Sequence, residues 1–165
     1  MRTAERFAAK STCKRRQHGA VVVPLFVNPT VIVGWNHSLD NEPCKICIRE
    51  AESIPSGTQY EKCNAIHAEQ DAICEAAKWH GNIGGATLYI TGCPCAICAK
   101  MIVAAGIARV VIGRRAPQSI EGVVDYLRGF GLQVDYLADL EAASGATAPQ
   151  DANEDCESCP NGGAI

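Results

Sequence analysis

Four residues of the chain have the types and spacing of a catalytic metal site. His67 lies two positions before Glu69, and Cys95 and Cys98 follow in the run Pro94-Cys-Ala-Ile-Cys. A helix starting near Cys95 turns both thiols to one side, and its exposed N–H groups favour the zinc-binding thiolate form. One imidazole and two thiolates leave a fourth zinc position open for water, which is typical of catalytic zinc. We therefore predict a zinc on His67, Cys95 and Cys98, with Glu69 at a first helical turn as the catalytic residue.

Hydrophobic patterns predict the elements that position these residues. Predicted helices cover residues 3–10, 67–79, 95–105 and a segment beginning at Ser119; predicted strands cover 19–25, 31–35, 86–91, 108–112 and 132–136. A strand pair around Asn28-Pro29, followed by alternating helices and strands, indicates an α/β fold. Its mixed sheet would join an antiparallel hairpin to strands linked by helical crossovers. The polar stretch 36–63 has no such pattern, so a compact domain needs something to hold it.

The motifs His67-Ala-Glu and Pro94-Cys-Ala-Ile-Cys match the signature of the zinc deaminases. From about Ser11 to Tyr136 the chain resembles the deoxycytidylate deaminase family. The run Ser11-Thr-Cys-Lys-Arg-Arg before Gly19-Ala-Val and the turn Gly34-Trp-Asn add to the likeness. The resemblance implies a three-layer α/β/α cytidine deaminase-like sandwich with a mixed five-stranded sheet. It also implies zinc-dependent hydrolysis of dCMP to dUMP and ammonia, with Glu69 transferring the protons.

The resemblance further implies a second, structural zinc. The cysteines at the expected positions are Cys13, Cys44, Cys47 and Cys63. Such a zinc would hold the polar stretch 36–63 without a hydrophobic core of its own. The alternative is a set of buried thiols, with His37 or another group as a ligand instead.

The predicted substrate contacts are Asn36, His37, Ala68 and Arg115. By resemblance Asn36 would hydrogen-bond the sugar; the alternative is an ordinary turn residue. Arg114 and Arg115 could clamp a phosphate, because guanidinium groups match its geometry, or they could be solvated loop residues.

The chain departs from the family near the expected substrate. His37-Ser-Leu-Asp follows Asn36 where the family has Gly and a Pro/Gly-containing loop. His18 stands where the family has a small apolar residue before the first strand. The segment Gly113-Arg-Arg-Ala-Pro-Gln lacks the tyrosine that packs on the pyrimidine in the family. These departures all fall near the expected substrate, and none changes the zinc-binding motifs.

Composition excludes several other classes of protein. The 165 residues are 47% hydrophobic and 20% charged with a formal net charge of -3, so no basic footprint for a polynucleotide is present. No apolar run is long enough for a membrane span, and the start does not resemble a secretory signal. Ten cysteines at short spacings then favour metal binding in a reducing compartment, and we expect a cytoplasmic protein.

The domain prediction is a deaminase domain over residues 1–140 and a disordered, acidic and Gly-rich tail over 141–165, which includes Cys156 and Cys159. The resemblance implies a homo-oligomer acting on a small-molecule nucleotide. One alternative is a deaminase of another small nucleobase, nucleoside or nucleotide on the same fold. A second is a non-catalytic, zinc-stabilised interaction module, although structural zinc normally takes a fourth protein ligand.

Overall fold

A computed structural model describes residues 1–25, 30–55, 58–114 and 121–145. The helices are α1 (Arg2–Ala8), α2 (Ile48–Ala51), α3 (Ala68–Trp79), α4 (Ala96–Ala104), α5 (Glu121–Gly129) and α6 (Leu137–Ser144), and a 3-10 helix covers Tyr60–Lys62. The strands are β1 (Gly19–Val23), β2 (Ile32–Trp35), β3 (His37–Ser38), β4 (Ala65–Ile66), β5 (Thr87–Ile90), β6 (Arg109–Ile112) and β7 (Gln133–Tyr136). Within the described ranges no helix is both long and apolar enough to cross a membrane.

The main sheet has five strands in the order β2-β1-β5-β6-β7. β1 runs antiparallel to β2 and β5, whereas β5, β6 and β7 are parallel. This confirms the predicted mixed sheet. Ala20 pairs with Ile90, and Ile90 pairs with Ile112, so the start of β1 lies at the carboxyl ends of β5 and β6. The residues just before β1 and just after β5 and β6 therefore meet at one edge of the sheet.

Helices cover both faces of the sheet, which confirms the three-layer α/β/α arrangement. α1 packs on β1 and β2 from one side, and α3, α4 and α5 share the other side with a continuous apolar core. Small residues let the layers approach closely: Ala68, Ala72 and Ala76 are buried at intervals of four along α3. Opposite them, Gly34 of β2 touches the α3 backbone, because a Cβ there would lie 2.4 Å from Ala72 N.

Two features differ from the expected elements, and others lie outside the described residues. The polar stretch after Asn36 contains α2, the 3-10 helix and the pairing of β3 with β4. Helix α6 was not predicted and continues across the expected domain boundary at residue 140, as far as Ser144. The turn Asn28-Pro29, the cap at Ser119 and residues 146–165 lie outside the described residues.

Candidate metal centre and active site

Two helix N-termini bring the metal-binding motifs together. α3 starts at Ala68 with His67 as its N-cap, and α4 starts at Ala96 with Cys95 as its N-cap. The Cys98 N–H donates a hydrogen bond to Cys95 Sγ at 3.5 Å, which orients this sulfur over the first turn of α4. Because α3 and α4 pack against each other on one face of the sheet, their N-cap side chains converge.

The converging side chains have the geometry of a zinc site. His67 Nδ1 lies 3.6 Å from Cys95 Sγ and 3.4 Å from Cys98 Sγ. Tetrahedral zinc, with bonds of about 2.3 Å to sulfur and 2.0–2.1 Å to nitrogen, would separate these ligand atoms by about 3.6 Å. The three ligand atoms all lie within 4.8 Å of one another. This donor set therefore fits zinc with little rearrangement.

The charges within the donor set suit metal binding. Hydrogen bonding by Cys98 lowers the pKa of Cys95 to about 3, so this residue is a thiolate at neutral pH. The negative sulfur and its hydrogen bond raise the pKa of His67. The same thiolate raises the pKa of Cys98, since two neighbouring sulfurs resist carrying two negative charges without a cation. A divalent cation removes that repulsion and lets both cysteines ligate as thiolates.

Glu69 lies beside the donor set in the first turn of α3. The residue is only 7% exposed, and burial raises the pKa of its carboxyl group. A hydrogen bond from its own backbone N–H and the charge of His67 act in the opposite direction. A carboxyl group with a raised pKa can exchange protons near neutral pH more readily than an exposed one. The arrangement can therefore combine a metal ion with a buried proton-transfer group.

Comparison with known proteins assigns the family. The sequence profile described as "cytidine and deoxycytidylate deaminase zinc-binding region" matches residues 1–114. The chain belongs to this family. It is 39% identical over 77 residues to deoxycytidylate deaminase of Enterobacteria phage T2, a match covering 47% of the chain and 41% of that enzyme. It is 36% identical over 111 residues to deoxycytidylate deaminase of Mycobacterium phage D29, covering 63% of the chain and 83% of that enzyme.

A solved structure resembles the whole fold. The dCMP deaminase from cyanophage S-TIM5, in complex with dCMP and dUMP, gives a TM-score of 0.61 at 30% sequence identity. The match covers 82% of this chain and 92% of that chain. By contrast, the matched part spans about two fifths of the phage T2 enzyme.

Asn36 and Ala68, two of the predicted substrate contacts, lie close to the start of α3 and β1. Asn36 is buried; its Oδ1 accepts the His18 N–H at 2.7 Å and its Nδ2 donates to the Arg16 carbonyl at 2.8 Å. An amide has two donors and two acceptor positions, so after these bonds to described residues one of each remains for a ligand. Ala68 is 1% exposed and is the first residue of α3.

His37 has partners within the protein. Its Nδ1 lies 2.8 Å from the Ser38 carbonyl oxygen and its Nε2 lies 3.3 Å from Asp71 Oδ1. Its ring also packs against Trp35, with the ring centroids 5.6 Å apart. The predicted contact of His37 with substrate stays a prediction. Arg115, the fourth predicted contact, lies outside the described residues.

The four cysteines assigned to a second zinc are half-buried neighbours without the spacing of metal ligands. Burial, and then the charges of Cys13, Cys63 and Cys47, raise the pKa of the Cys44 thiol, which places the four sulfurs in one region. In the part of the chain that the structure describes, His67, Cys95 and Cys98 form the only group of three His, Cys, Asp or Glu ligands within 4.8 Å.

His18 and Arg114 also lie at this edge of the sheet. His18 packs against the backbone of Gly92, where a Cβ would lie 3.0 Å from His18 Cε1. Burial lowers the pKa of His18 to about 4, helped by the charges of Arg16, His67 and Arg114. His18 is therefore neutral at pH 7, and Arg114 is near enough for its charge to contribute to this shift. The departure from the family at position 18 was the sequence signal for this residue.

Sequence reasoning missed Tyr60 and Arg49. The Tyr60 ring packs edge-on against His67, with the ring centroids 5.5 Å apart. Burial is the main reason that the pKa of Tyr60 rises to about 12. Arg49 is buried and lies over the Tyr60 ring. No motif identifies either residue, because both belong to the polar stretch, whose sequence has no hydrophobic periodicity.

Proposed function

We propose that the protein is a zinc-dependent deaminase that hydrolyses dCMP to dUMP and ammonia. The observation that carries this proposal is a His67, Cys95 and Cys98 donor set at tetrahedral spacing with buried Glu69 beside it. The names of the phage T2 and D29 relatives, and the dCMP and dUMP bound to the cyanophage enzyme, support this substrate.

The chain's own residues supply the proton transfers of this reaction. Zinc, when bound, supplies a Lewis acid that lowers the pKa of a water molecule. Glu69 would accept one proton from the attacking water through its carboxylate and deliver it to the ring nitrogen. It would then accept the second proton from the hydroxyl group added at the ring carbon and deliver it to the departing amine, which leaves as ammonia. Burial of this carboxyl group keeps bulk water away and raises its pKa toward the working pH, which suits both steps.

For the substrate contacts, we propose Asn36 and Ala68 as direct partners of the nucleotide. The free donor and acceptor of the Asn36 amide suit a sugar hydroxyl, and the first turn of α3 offers backbone N–H groups near Ala68. His37 would contribute by holding Asp71 and the start of α3 in place. A phosphate contact by Arg115 remains part of the proposal.

The second zinc is a proposal supported by the grouping of four cysteines. Cys13, Cys63 and Cys47 lie close enough to Cys44 to contribute to the raised pKa of its thiol after burial, and Cys44, Cys47 and Cys63 belong to the polar stretch itself. Zinc would draw them to ligand distance and remove their mutual repulsion. Two zinc ions per chain in the native protein, falling to one in a Cys44→Ser, Cys47→Ser double variant, would support this site. A single zinc in both proteins would reject it.

The cytoplasmic location and the homo-oligomeric state are also proposals. The eight described cysteines are free thiols, which suits a reducing compartment. Exposed apolar side chains on α4, on α5 and directly after α5, namely Ile97, Tyr126 and Phe130, suit contact with a second copy. Light scattering of the purified protein measures the assembly directly.

The decisive experiment follows ammonia release from dCMP by the zinc-loaded protein, with Glu69→Gln as the matched variant. We expect release by the wild type, a loss of about 10²–10⁴-fold in the variant, and equal zinc content in both. Ammonia release from other amino-bearing bases but not from dCMP would favour a deaminase of another small nucleobase, nucleoside or nucleotide. If neither the zinc-loaded wild type nor Glu69→Gln releases ammonia from any of these bases, the protein is better described as a non-catalytic, zinc-stabilised interaction module.

A further inference from the structure

His18 lies in a row of residues that crosses the edge of the sheet next to the metal centre. The Asn36 N–H donates to the His18 carbonyl oxygen at 3.1 Å, which continues the pairing of β1 with β2. On the other side, the Thr91 N–H donates to the Gly19 carbonyl oxygen at 3.1 Å, which continues the pairing of β1 with β5. The next pair outward is His18 with Gly92. His18 therefore lies between Asn36 and Gly92 in this row.

The His18 side chain lies on the face of the sheet that α3 and α4 cover. A Cβ added to Gly19 would clash with the Ala4 carbonyl oxygen of α1, so Gly19 faces the opposite layer. Because successive residues of a strand face opposite sides, His18 shares its face with Ala20, which belongs to the core under α3 and α4. A Cβ on Gly92 would lie 3.0 Å from His18 Cε1 and 3.1 Å from its Nδ1, so the imidazole covers this glycine.

The metal-binding residues lie at the same edge and on the same face. α3 begins level with the last full row of the sheet, since the carbonyl oxygen of its first residue would lie 2.5 Å from a Cβ on Gly34, which pairs with Ala20. The row that contains His18 is the next one outward, so it lies beside His67, the N-cap of α3. Cys95, the N-cap of α4, is only three residues beyond this row along the chain that leaves β5.

The imidazole of His18 has the properties of a surface on which a nucleobase can stack. His18 is half-buried, and its hydrogen bonds with described residues are those of its backbone. Burial lowers the pKa of His18 to about 4, so the ring is uncharged at pH 7. Histidine is one of the side chains on which bases stack. Its neighbours in the row, Asn36 and Gly92, have no ring, and residues 113–118 include no aromatic side chain.

We propose that His18 is a substrate-contacting residue whose imidazole stacks on the base of the bound nucleotide, between the sugar at Asn36 and the reacting carbon at the metal centre. The proposal rests on the proposed function, which supplies the nucleotide and these two end points. Gly92 leaves room for the ring, since a side chain at this position would press against it. The contact fixes the plane of the base and so presents its amine-bearing carbon to the metal centre.

The first test observes the contact in the zinc-loaded wild type by NMR. dUMP, the expected product, binds without turnover, and nuclear Overhauser effects are recorded between its H5 and H6 protons and the ring protons of the four histidines. We expect these effects for the Cε1 and Cδ2 protons of His18. We expect none for His80, which is the C-cap at the far end of α3.

Substitutions in the full chain provide the second test. His18→Phe keeps an aromatic ring, His18→Val removes it, and His80→Val is the matched control. Loss of base–aromatic stacking weakens binding by about 5–150-fold, and we expect the KM for dCMP and the Kd for dUMP to rise by this factor in His18→Val. Both constants should stay close to the wild-type values in His18→Phe and in the control. 2-Deoxyribose 5-phosphate, which lacks the base, should inhibit all four proteins equally.

Three results would overturn the proposal. Bound dUMP without a nuclear Overhauser effect to the His18 ring would show that the two are not in contact, and this measurement decides the question even if a variant does not fold. If His18→Phe binds as weakly as His18→Val, the ring nitrogens rather than a stacked ring hold the nucleotide. Loss of zinc from His18→Val, or weaker inhibition of it by 2-deoxyribose 5-phosphate, would make His18 a structural residue.

Failure of the proposed function gives a different result. A zinc-loaded wild type that binds neither dCMP nor dUMP would reject dCMP as the substrate, and the stacking contact with it. A wild type that releases ammonia from dCMP, with the same KM in His18→Val, would reject the contact alone.

Discussion

Replacing Gly34 by alanine is expected to displace the helix that carries the active-site residues. Gly34 lies in β2 directly under the first turns of α3. An added Cβ would lie 2.4 Å from Ala72 N and 2.5 Å from the Ala68 carbonyl oxygen. Both are backbone atoms, which no side-chain rotation can move away. Since ordinary contact begins at 3.4 Å, α3 must withdraw from β2 by about 1 Å.

The size of the effect follows from this displacement. Overpacking of a close-packed interior costs about 1–3 kcal/mol, and a clash with helix backbone belongs at the upper end of that range. For a chain of this length, about 3 kcal/mol lowers Tm by roughly 6–12 °C. The same movement shifts His67 and Glu69 relative to Cys95 and Cys98, and a misplacement of about 1 Å can cost about 10²-fold in rate.

Thermal unfolding, zinc content and ammonia release are measured on the same preparations. Gly129→Ala is the matched control, because Gly129 lies in α5 and an added Cβ would meet no described atom within 4 Å beyond its chain neighbours and the backbone of its own helix. We expect the control to keep the wild-type Tm and activity. A Gly34→Ala protein with wild-type Tm and full zinc content would refute the close packing of α3 on β2, and with it the explanation for a glycine at this position.

Three other perturbations test the electrostatics of the site. Because burial raises the pKa of Glu69, the metal-free protein loses stability as the pH rises from the ordinary value of 4.5 up to the raised, folded-state pKa. Metal-free Glu69→Gln should therefore have a higher Tm than metal-free wild type at about pH 8. Below the ordinary pKa of 4.5 the two Tm values should agree. The same difference in Tm at both pH values would contradict this prediction. Asp71→Asn weakens the acceptor of the Trp35 N–H at 3.1 Å and removes the charge facing His37, so urea unfolding should show a loss of about 1–3 kcal/mol. Cys98→Ser should abolish zinc retention after dialysis, whereas Cys74→Ser on α3 should retain it; retention by both would exclude Cys98 as a ligand.

The sheet and its covering helices could be predicted because each segment carries a local pattern. In β5, Leu88 and Ile90 are buried and alternate with half-buried neighbours, which is the period of a strand. Along α3 the buried alanines recur every four residues, which is the period of a helix. Helix α6 could not be found in this way, because none of its residues is buried and no hydrophobic face marks it.

The polar stretch between Asn36 and Cys63 takes its order from contacts between residues far apart in sequence. β3 and β4 have two residues each, which is too short for any periodicity, yet they pair His37 with Ile66. Arg49 organises the turn before Tyr60 by hydrogen bonds to backbone carbonyl groups, which any residue type offers. Neither contact leaves a mark in the local sequence, so the position of Tyr60 at the metal centre could not be predicted.

The active-site residues show the same difference between positions set by a local pattern and positions set by contacts with distant residues. His67 and Cys95 are N-caps, so the start of each helix sets their direction and a short motif is enough to identify them. Glu69 and Asp71 are two positions apart on α3, which turns their side chains about 200° away from each other. Glu69 therefore faces the donor set, while Asp71 faces the bend between β2 and β3 and pairs with His37. The helical turn that carries the chemistry thus also anchors the loop beside it, and the residues of that loop near the substrate depend on contacts that the motif does not contain.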